Sequence, residues 1–387
     1  MSFSLNSILG LSILIFTGGV AHLFKAIGPI FFFSFISIGW LFALRLRVYP
    51  KLWKINIWES VAWFCLLTMA FTALYTPHLN TLDDHFVYMP LVESMLQMGS
   101  MDEQPFLMGR LVVALGGHTL LLACTRSFVD WHFVSGLDNA FGLLLVAGIL
   151  ARSKPGNLGV LATFLFLALY DFEVVNCSSV IMGMAMAIGT CEMIQLTSLG
   201  KKPYLKACLP ALLQAALITQ KMIWIIPCAM ITLGWWSWII FGKKEYCWRT
   251  IAWNICFVMI FLSPWMLSSS FAAGTPLYPV LGKGDTTGNF GLVPMGFSPT
   301  LLKNSIVLFL GAPQVLLALL LCGIGWKQGL RSTWLMGTSI LLSSFFVFHL
   351  SFDMLRYIQP ILCLAILLFF LAIQHSQNIL PLNSFIR

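Results

Sequence analysis

The feature that most constrains this chain is the return, from one end to the other, of apolar runs about 20 residues long. A helix of that length crosses the ~30 Å hydrocarbon core of a bilayer. In hydrocarbon only helices and closed barrels satisfy their own backbone groups. Such runs lie at 5–23, 28–45, 58–76, 132–150, 158–171, 178–198, 206–219, 222–241, 250–267, 301–325, 333–350 and 356–375, and a further apolar stretch covers 107–124. Charged residues are 9% of the chain and hydrophobic residues 59%, whereas a soluble domain carries roughly 25% charged residues. A water-facing surface cannot be built from what remains, so a soluble globular enzyme is excluded. The expected fold class is an all-α integral membrane protein. The first run, Leu5 to Leu23, lacks a basic leader and a small-residue cleavage site and reads as a retained span.

The formal charge of +8 does not imply nucleic acid, because the basic residues form no single patch. They sit in small groups between apolar runs: Arg45, Arg47, Lys51 and Lys54; Arg152 and Lys154; Lys201, Lys202 and Lys206; Lys243, Lys244 and Arg249; Lys327 and Arg331; and Arg387. These are fifteen of the 22 basic residues. They share one side of a membrane only if 107–124 does not cross it. The positive-inside rule then predicts about twelve spans, cytoplasmic termini and an external interfacial helix at 107–124. Two N-terminal spans occupy 1–57. The segment 58–387 forms the main transmembrane unit, with external loops at 77–131 and 268–300. Ten of the fourteen acidic residues fall at or beyond the outer boundary, so the working face is expected outside. The ten cysteines lie mostly singly in apolar stretches, as Cys65, Cys191, Cys228 and Cys363 do, and read as small core residues.

Chemistry-bearing residues cluster on that outer side. The first external loop runs from Thr76-Pro77-His78 to Asp83-Asp84-His85-Phe86-Val87-Tyr88 and on as an amphipathic helix to Met98-Gly99. Adjacent carboxylates just beyond a span are costly unless solvated, paired or used. They suit a solvated helix cap, a general base for an acceptor hydroxyl or amine, or a metal site that His85 could join. Asp171 and Glu173 form a second acidic pair at the outer end of 158–171, where an interfacial cap is the simpler role. Lys221, in Ile218-Thr219-Gln220-Lys221, breaks the basic-inside trend; it fits a phosphate contact or snorkelling to headgroups. Arg356, in Asp353-Met354-Leu355-Arg356-Tyr357, offers a guanidinium fork for a phosphate or a partner for Asp353. Glu192 and Asp138 read as intramembrane and structural.

Taken in order, these pieces resemble the GT-C superfamily of membrane glycosyltransferases, which use polyprenyl-phosphate-linked sugars and include protein O-mannosyltransferases and the lipid A aminoarabinose transferase. Asp84, Tyr88 and Met95-Leu96-Gln97-Met98-Gly99 match the family's Asp-x-x-x-Tyr helix ending in Met-Leu-x-x-Gly. An interfacial apolar helix after that loop is also a family trait. Thr219-Gln220-Lys221, the Pro264-Trp265 to Gly274-Thr275-Pro276-Leu277-Tyr278-Pro279 loop, and Arg356-Tyr357 with Pro360 are weaker matches. The family's second Asp, followed shortly by Pro, is replaced here by Asn176-Cys177-Ser178-Ser179.

The resemblance implies transfer of a sugar from a polyprenyl-phosphate donor to a glycan, lipid or protein acceptor. Asp84 would be the base, with Asp83 or the Asp171 and Glu173 acids assisting it or bridging a divalent metal ion. Lys221 and Arg356 would hold the lipid phosphate, and Tyr88, His85 and Tyr278 would line the substrate. The basic cytoplasmic face suits a bacterial inner membrane with the active site facing the periplasm. Two alternatives stay open: an envelope polysaccharide polymerase or ligase, and a lipid or sugar flippase. The first would carry arginine-rich external loops, and 268–300 has no arginine. The second would place charge deep in several spans.

Overall fold

The computed structural model describes residues 3–45, 57–75, 84–101, 115–151, 177–198, 202–242, 247–276, 306, 310–311, 313–328, 331–350 and 355–377. All regular structure among them is helical. In chain order the helices are α1 (Phe3–Leu23), α2 (Pro29–Arg45), α3 (Ile57–Tyr75), α4 (Met89–Met98), α5 (Gly117–Arg126), α6 (Trp131–Leu150), α7 (Ile181–Ser198), α8 (Pro203–Ile218), α9 (Ile225–Phe241), α10 (Cys247–Ala273), α11 (Pro313–Gln328), α12 (Arg331–Leu350) and α13 (Leu355–Gln377). A π-helical turn, Asp84–Tyr88, leads into α4, another lies within α6 at Leu137–Gly142, and a 3-10 turn at Met222–Trp224 leads into α9.

Four stretches are long and apolar enough to cross a membrane: Ser4–Leu23, Ile57–Tyr75, Trp131–Leu150 and Cys247–Ala272. Shorter apolar helices accompany them, among them Pro203–Ile218 and Ile225–Phe241. Large apolar side chains such as Phe33, Trp40, Phe64, Phe71, Trp248 and Phe271 are exposed on the flanks of these helices. Such a surface is costly in water and neutral against lipid. The expected run at 158–171 lies outside the described residues. Of the run expected at 301–325, the described helix α11 covers the part from Pro313.

The helix ends sort into two groups. At one end His22 of α1 accepts a hydrogen bond from the Met101 backbone and meets Ser268 of α10. There Leu74 of α3 packs on Gly136 of α6, Thr219 after α8 accepts from Gly117 of α5, and Trp224 before α9 donates to Ser179 before α7. At the other end Ser4 packs on Gly148 of α6, Gln195 of α7 donates to Ser332 and Thr333 of α12, and Trp334 of α12 donates to Cys322 of α11. Leu150 and Cys177 thus belong to opposite groups.

The described part of the expected 107–124 helix is α5, ten residues from Gly117. At 1.5 Å per residue that is about 15 Å, half a bilayer core. Its start is tied to Thr219. At its last residue, Arg126 pairs with Glu93 of α4 at 3.2 Å. Glu93 also accepts from Trp131, the first residue of α6, at 2.9 Å. Both termini of α5 therefore belong to the first end group. It is also largely buried, Gly117 to Ala123 all being enclosed, so it serves as a packed layer of that group.

Gly99 ends α4 in the left-handed region, with φ 76°. A Cβ there would collide with the Lys25 carbonyl oxygen, and the Gly99 carbonyl accepts from Ile27 at 3.3 Å. The α4 terminus is thereby pressed onto the turn between α1 and α2. Gly99→Ala combines left-handed strain with a backbone collision, and each source is worth about 1–3 kcal/mol. The expected result is a marked fall in the melting temperature of the purified protein, read by intrinsic fluorescence. An unchanged melting temperature would show that this contact does not hold the loop.

Candidate functional site

The first end group contains a buried polar layer that joins two of the predicted motifs. The backbone of Asp84 opens the π-helical turn, and Tyr88 closes it. Tyr88 is 1% exposed, and its ring stands edge-on to His118, with centroids 6.2 Å apart. His118 is the second residue of α5 and is equally buried. Its Nε2 lies 2.7 Å from the Cys177 carbonyl, which makes Nε2 the protonated nitrogen. Burial pushes the His118 pKa down to about 4, and the nearby Lys221 charge acts in the same direction. The ring is therefore neutral near pH 7, and Nδ1 is an acceptor with no hydrogen-bond donor among the described residues.

The Thr219-Gln220-Lys221 turn ends α8 and is clamped from both sides. Thr219 accepts from Gly117 at 3.0 Å. Gln220 Oε1 accepts the Ser179 hydroxyl at 3.1 Å, and the Lys221 carbonyl accepts from Trp224 at 2.9 Å. Lys221 is only 7% exposed. Its side chain is enclosed by the protein, where snorkelling to headgroups would leave it exposed.

Asp138 completes the layer. Its carboxylate accepts backbone N–H groups from Val180, Ile181 and Met182 at 2.7 to 3.2 Å. These are the donors that the start of α7 leaves without intrahelical partners. Residues 177–182 thus tie together α5 through His118, α6 through Asp138, and the lysine turn through Gln220 and Trp224. Asn139 and Ser135, also on α6, are buried with side-chain atoms that find no partner among the described residues.

Of the candidate residues, the structure brings Tyr88 and Lys221 to one layer through the start of α5, where His118 meets Tyr88 and Gly117 bonds Thr219 of the lysine turn. His85 is exposed. Asp84 and Arg356 are described by their backbones, Arg356 in the first turn of α13. Asp83, Asp171, Glu173 and Tyr278 lie outside the described residues. Among the described residues no three His, Cys, Asp or Glu side chains group as a metal site would need. His118 has no reading from sequence, and Asp138 reads there as intramembrane and structural, with no chemistry. The available signal was Asp138 itself, a carboxylate within an apolar run, which in a span marks a function or a specific partner.

No family model, curated protein or solved structure matches this chain.

Proposed function

We propose that this chain is a membrane glycosyltransferase that moves a sugar from a polyprenyl-phosphate donor to an acceptor on the extracytoplasmic face. The observation that carries this reading is the fixing of the Asp84–Tyr88 helix and the buried Lys221 in one layer at one end of the helices. A base for the acceptor and a cation for the leaving phosphate must lie on the same side of the membrane, and both motifs belong to that end group.

Asp84 takes the proton of the acceptor nucleophile. Lys221 and Arg356 hold the lipid phosphate and stabilise the charge that develops on it as the glycosidic bond breaks. A lysine withdrawn from water attracts a phosphate more strongly than an exposed one, because the effective dielectric is lower. About twelve spans complete the architecture, with the basic loops cytoplasmic and the layer facing the periplasm of a bacterial inner membrane.

Lipid binding tests the donor assignment. Arginine's fork matches a phosphate better than lysine's point charge. Arg356→Ala is therefore expected to weaken binding of a polyprenyl phosphate more than Lys221→Ala, and Arg356→Lys to restore it in part. Unchanged binding in the double alanine variant would place the phosphate elsewhere. The donor reading would then fall below that of a polysaccharide polymerase.

Sidedness has its own test. In a background free of the ten native cysteines, single cysteines at 103 and 285 are expected to react with an impermeant maleimide in intact cells. One at 202 should react only after the membrane is opened. Labelling at 154 from outside would mean that 107–124 crosses, and would put Asp171 and Glu173 on the wrong face.

A further inference from the structure

The π-helical turn of α6 sorts its side chains by direction. Gly136 and Ala140 face α3, since a Cβ on Gly136 would meet Leu74 and the Ala140 methyl. Asp138 and Gly142 face the start of α7. Asp138 accepts from Val180, Ile181 and Met182 there, and a Cβ on Gly142 would strike the Met182 backbone. Ser135 and Asn139 stand one turn apart, the Asn139 N–H donating to the Ser135 carbonyl at 3.2 Å. Around a helix they fall between those two stripes and away from Phe141, which is 39% exposed. They therefore point into the space that α6 shares with α3 and α7.

Polar groups point there with nothing to bond. Ser135 is 1% exposed and Asn139 8%. The Ser135 hydroxyl and both the Asn139 carbonyl oxygen and amide nitrogen lack a hydrogen-bond partner among the described residues. Apolar side chains of similar size would fill the same space without the cost of removing these groups from water. A buried orphan group is explained by a function or by a molecule that binds it, and π-turns occur often at functional sites. The second π-turn, Asp84–Tyr88, belongs to the same end group. Helix α5 touches both turns, meeting Tyr88 through His118 and packing on the α6 turn.

The orphan set of Ser135 and Asn139 carries no charge. The amide offers two N–H donors and a carbonyl acceptor, and the serine a hydroxyl that both donates and accepts. An anion could use only the donors, and an apolar chain would leave the whole set bare. Neighbouring hydroxyls, which donate and accept at once, satisfy all of it. We propose that Ser135 and Asn139 form the subsite for the sugar of the lipid-linked donor, bonding adjacent hydroxyls of its ring. The inference rests on the reading of this chain as a polyprenyl-phosphate-dependent glycosyltransferase and adds which residues hold the sugar. They bind it and take no part in moving the proton.

The test uses the full chain in phosphatidylcholine nanodiscs. The probes are the farnesyl phosphate diesters of glucose, mannose and galactose, with farnesyl monophosphate as the control that lacks a sugar. Asn139→Leu keeps the size of the side chain and removes its hydrogen bonds. It is expected to weaken diester binding on the order of tenfold and to leave farnesyl monophosphate unchanged. Ser135→Ala, which deletes one oxygen, should act in the same direction. Its melting temperature should stay level or rise, because an orphan hydroxyl contributes no bond to the fold. Diester binding in Ser135→Ala equal to that of the native chain overturns the proposal, even where Asn139→Leu fails to fold. So does a fall in its melting temperature, which would show the hydroxyl bonded within the protein. A native chain that binds the monophosphate but no diester also overturns the subsite and leaves the lipid-phosphate reading standing. If the native chain binds none of the four lipids, the donor reading itself falls, and the subsite falls with it.

Discussion

Replacing Asp84 with asparagine is expected to abolish sugar transfer while expression and membrane insertion stay normal. Asparagine keeps the size and the ability to start a helical turn but cannot take a proton. A positioned general base contributes about 10²–10⁴-fold to rate, and turnover should fall by that factor. Asp84 opens the turn that Tyr88 closes against His118, so the residue's backbone is anchored whatever its side chain. The loss should therefore appear in kcat more than in the melting temperature. Asp83→Asn should be milder if that residue only caps or orients its neighbour. Transfer by Asp84→Asn at a near-normal rate would remove Asp84 from the mechanism.

The largest effect on stability is expected from Asp138→Ala. Alanine strands the N–H groups of Val180, Ile181 and Met182 at a buried helix start. Leaving a buried donor without its acceptor costs about 1–3 kcal/mol, and three are left so here, against total stabilities of roughly 5–15 kcal/mol. The variant should accumulate poorly or elute as aggregate in fluorescence-detected size exclusion, whereas Asp138→Asn, which still accepts hydrogen bonds, should lose less. A monodisperse alanine variant with a normal melting temperature would show that α7 starts without Asp138.

Several particulars of the site were readable before the fold. The amphipathic helix after Asp84 was visible in its apolar spacing, and its glycine stop proved to be a left-handed residue against the Lys25 carbonyl. Lys221 was marked by a local contradiction, a lysine where basic residues are otherwise rare. Its burial was not readable, because a short turn between two apolar helices looks the same whether it faces headgroups or is roofed by another helix. Here α5 and residues 177–182 provide the roof. His118 carried no sequence signal, since a single histidine on an apolar stretch is more often a core residue than a working one.

Length and hydropathy by themselves determined that the described residues are helical and roughly where their long helices lie. Each of these is set within one segment, because a helix in lipid satisfies its backbone locally and its apolar length must match the hydrocarbon. The tertiary structure alone decided that α5 stays within one end group, that its first two residues meet the Thr219 turn and Tyr88, and that Asp138 caps a helix 42 residues away. Those contacts join segments far apart in the chain. Their geometry depends on which helix ends are brought together by packing, which no local pattern of residues encodes.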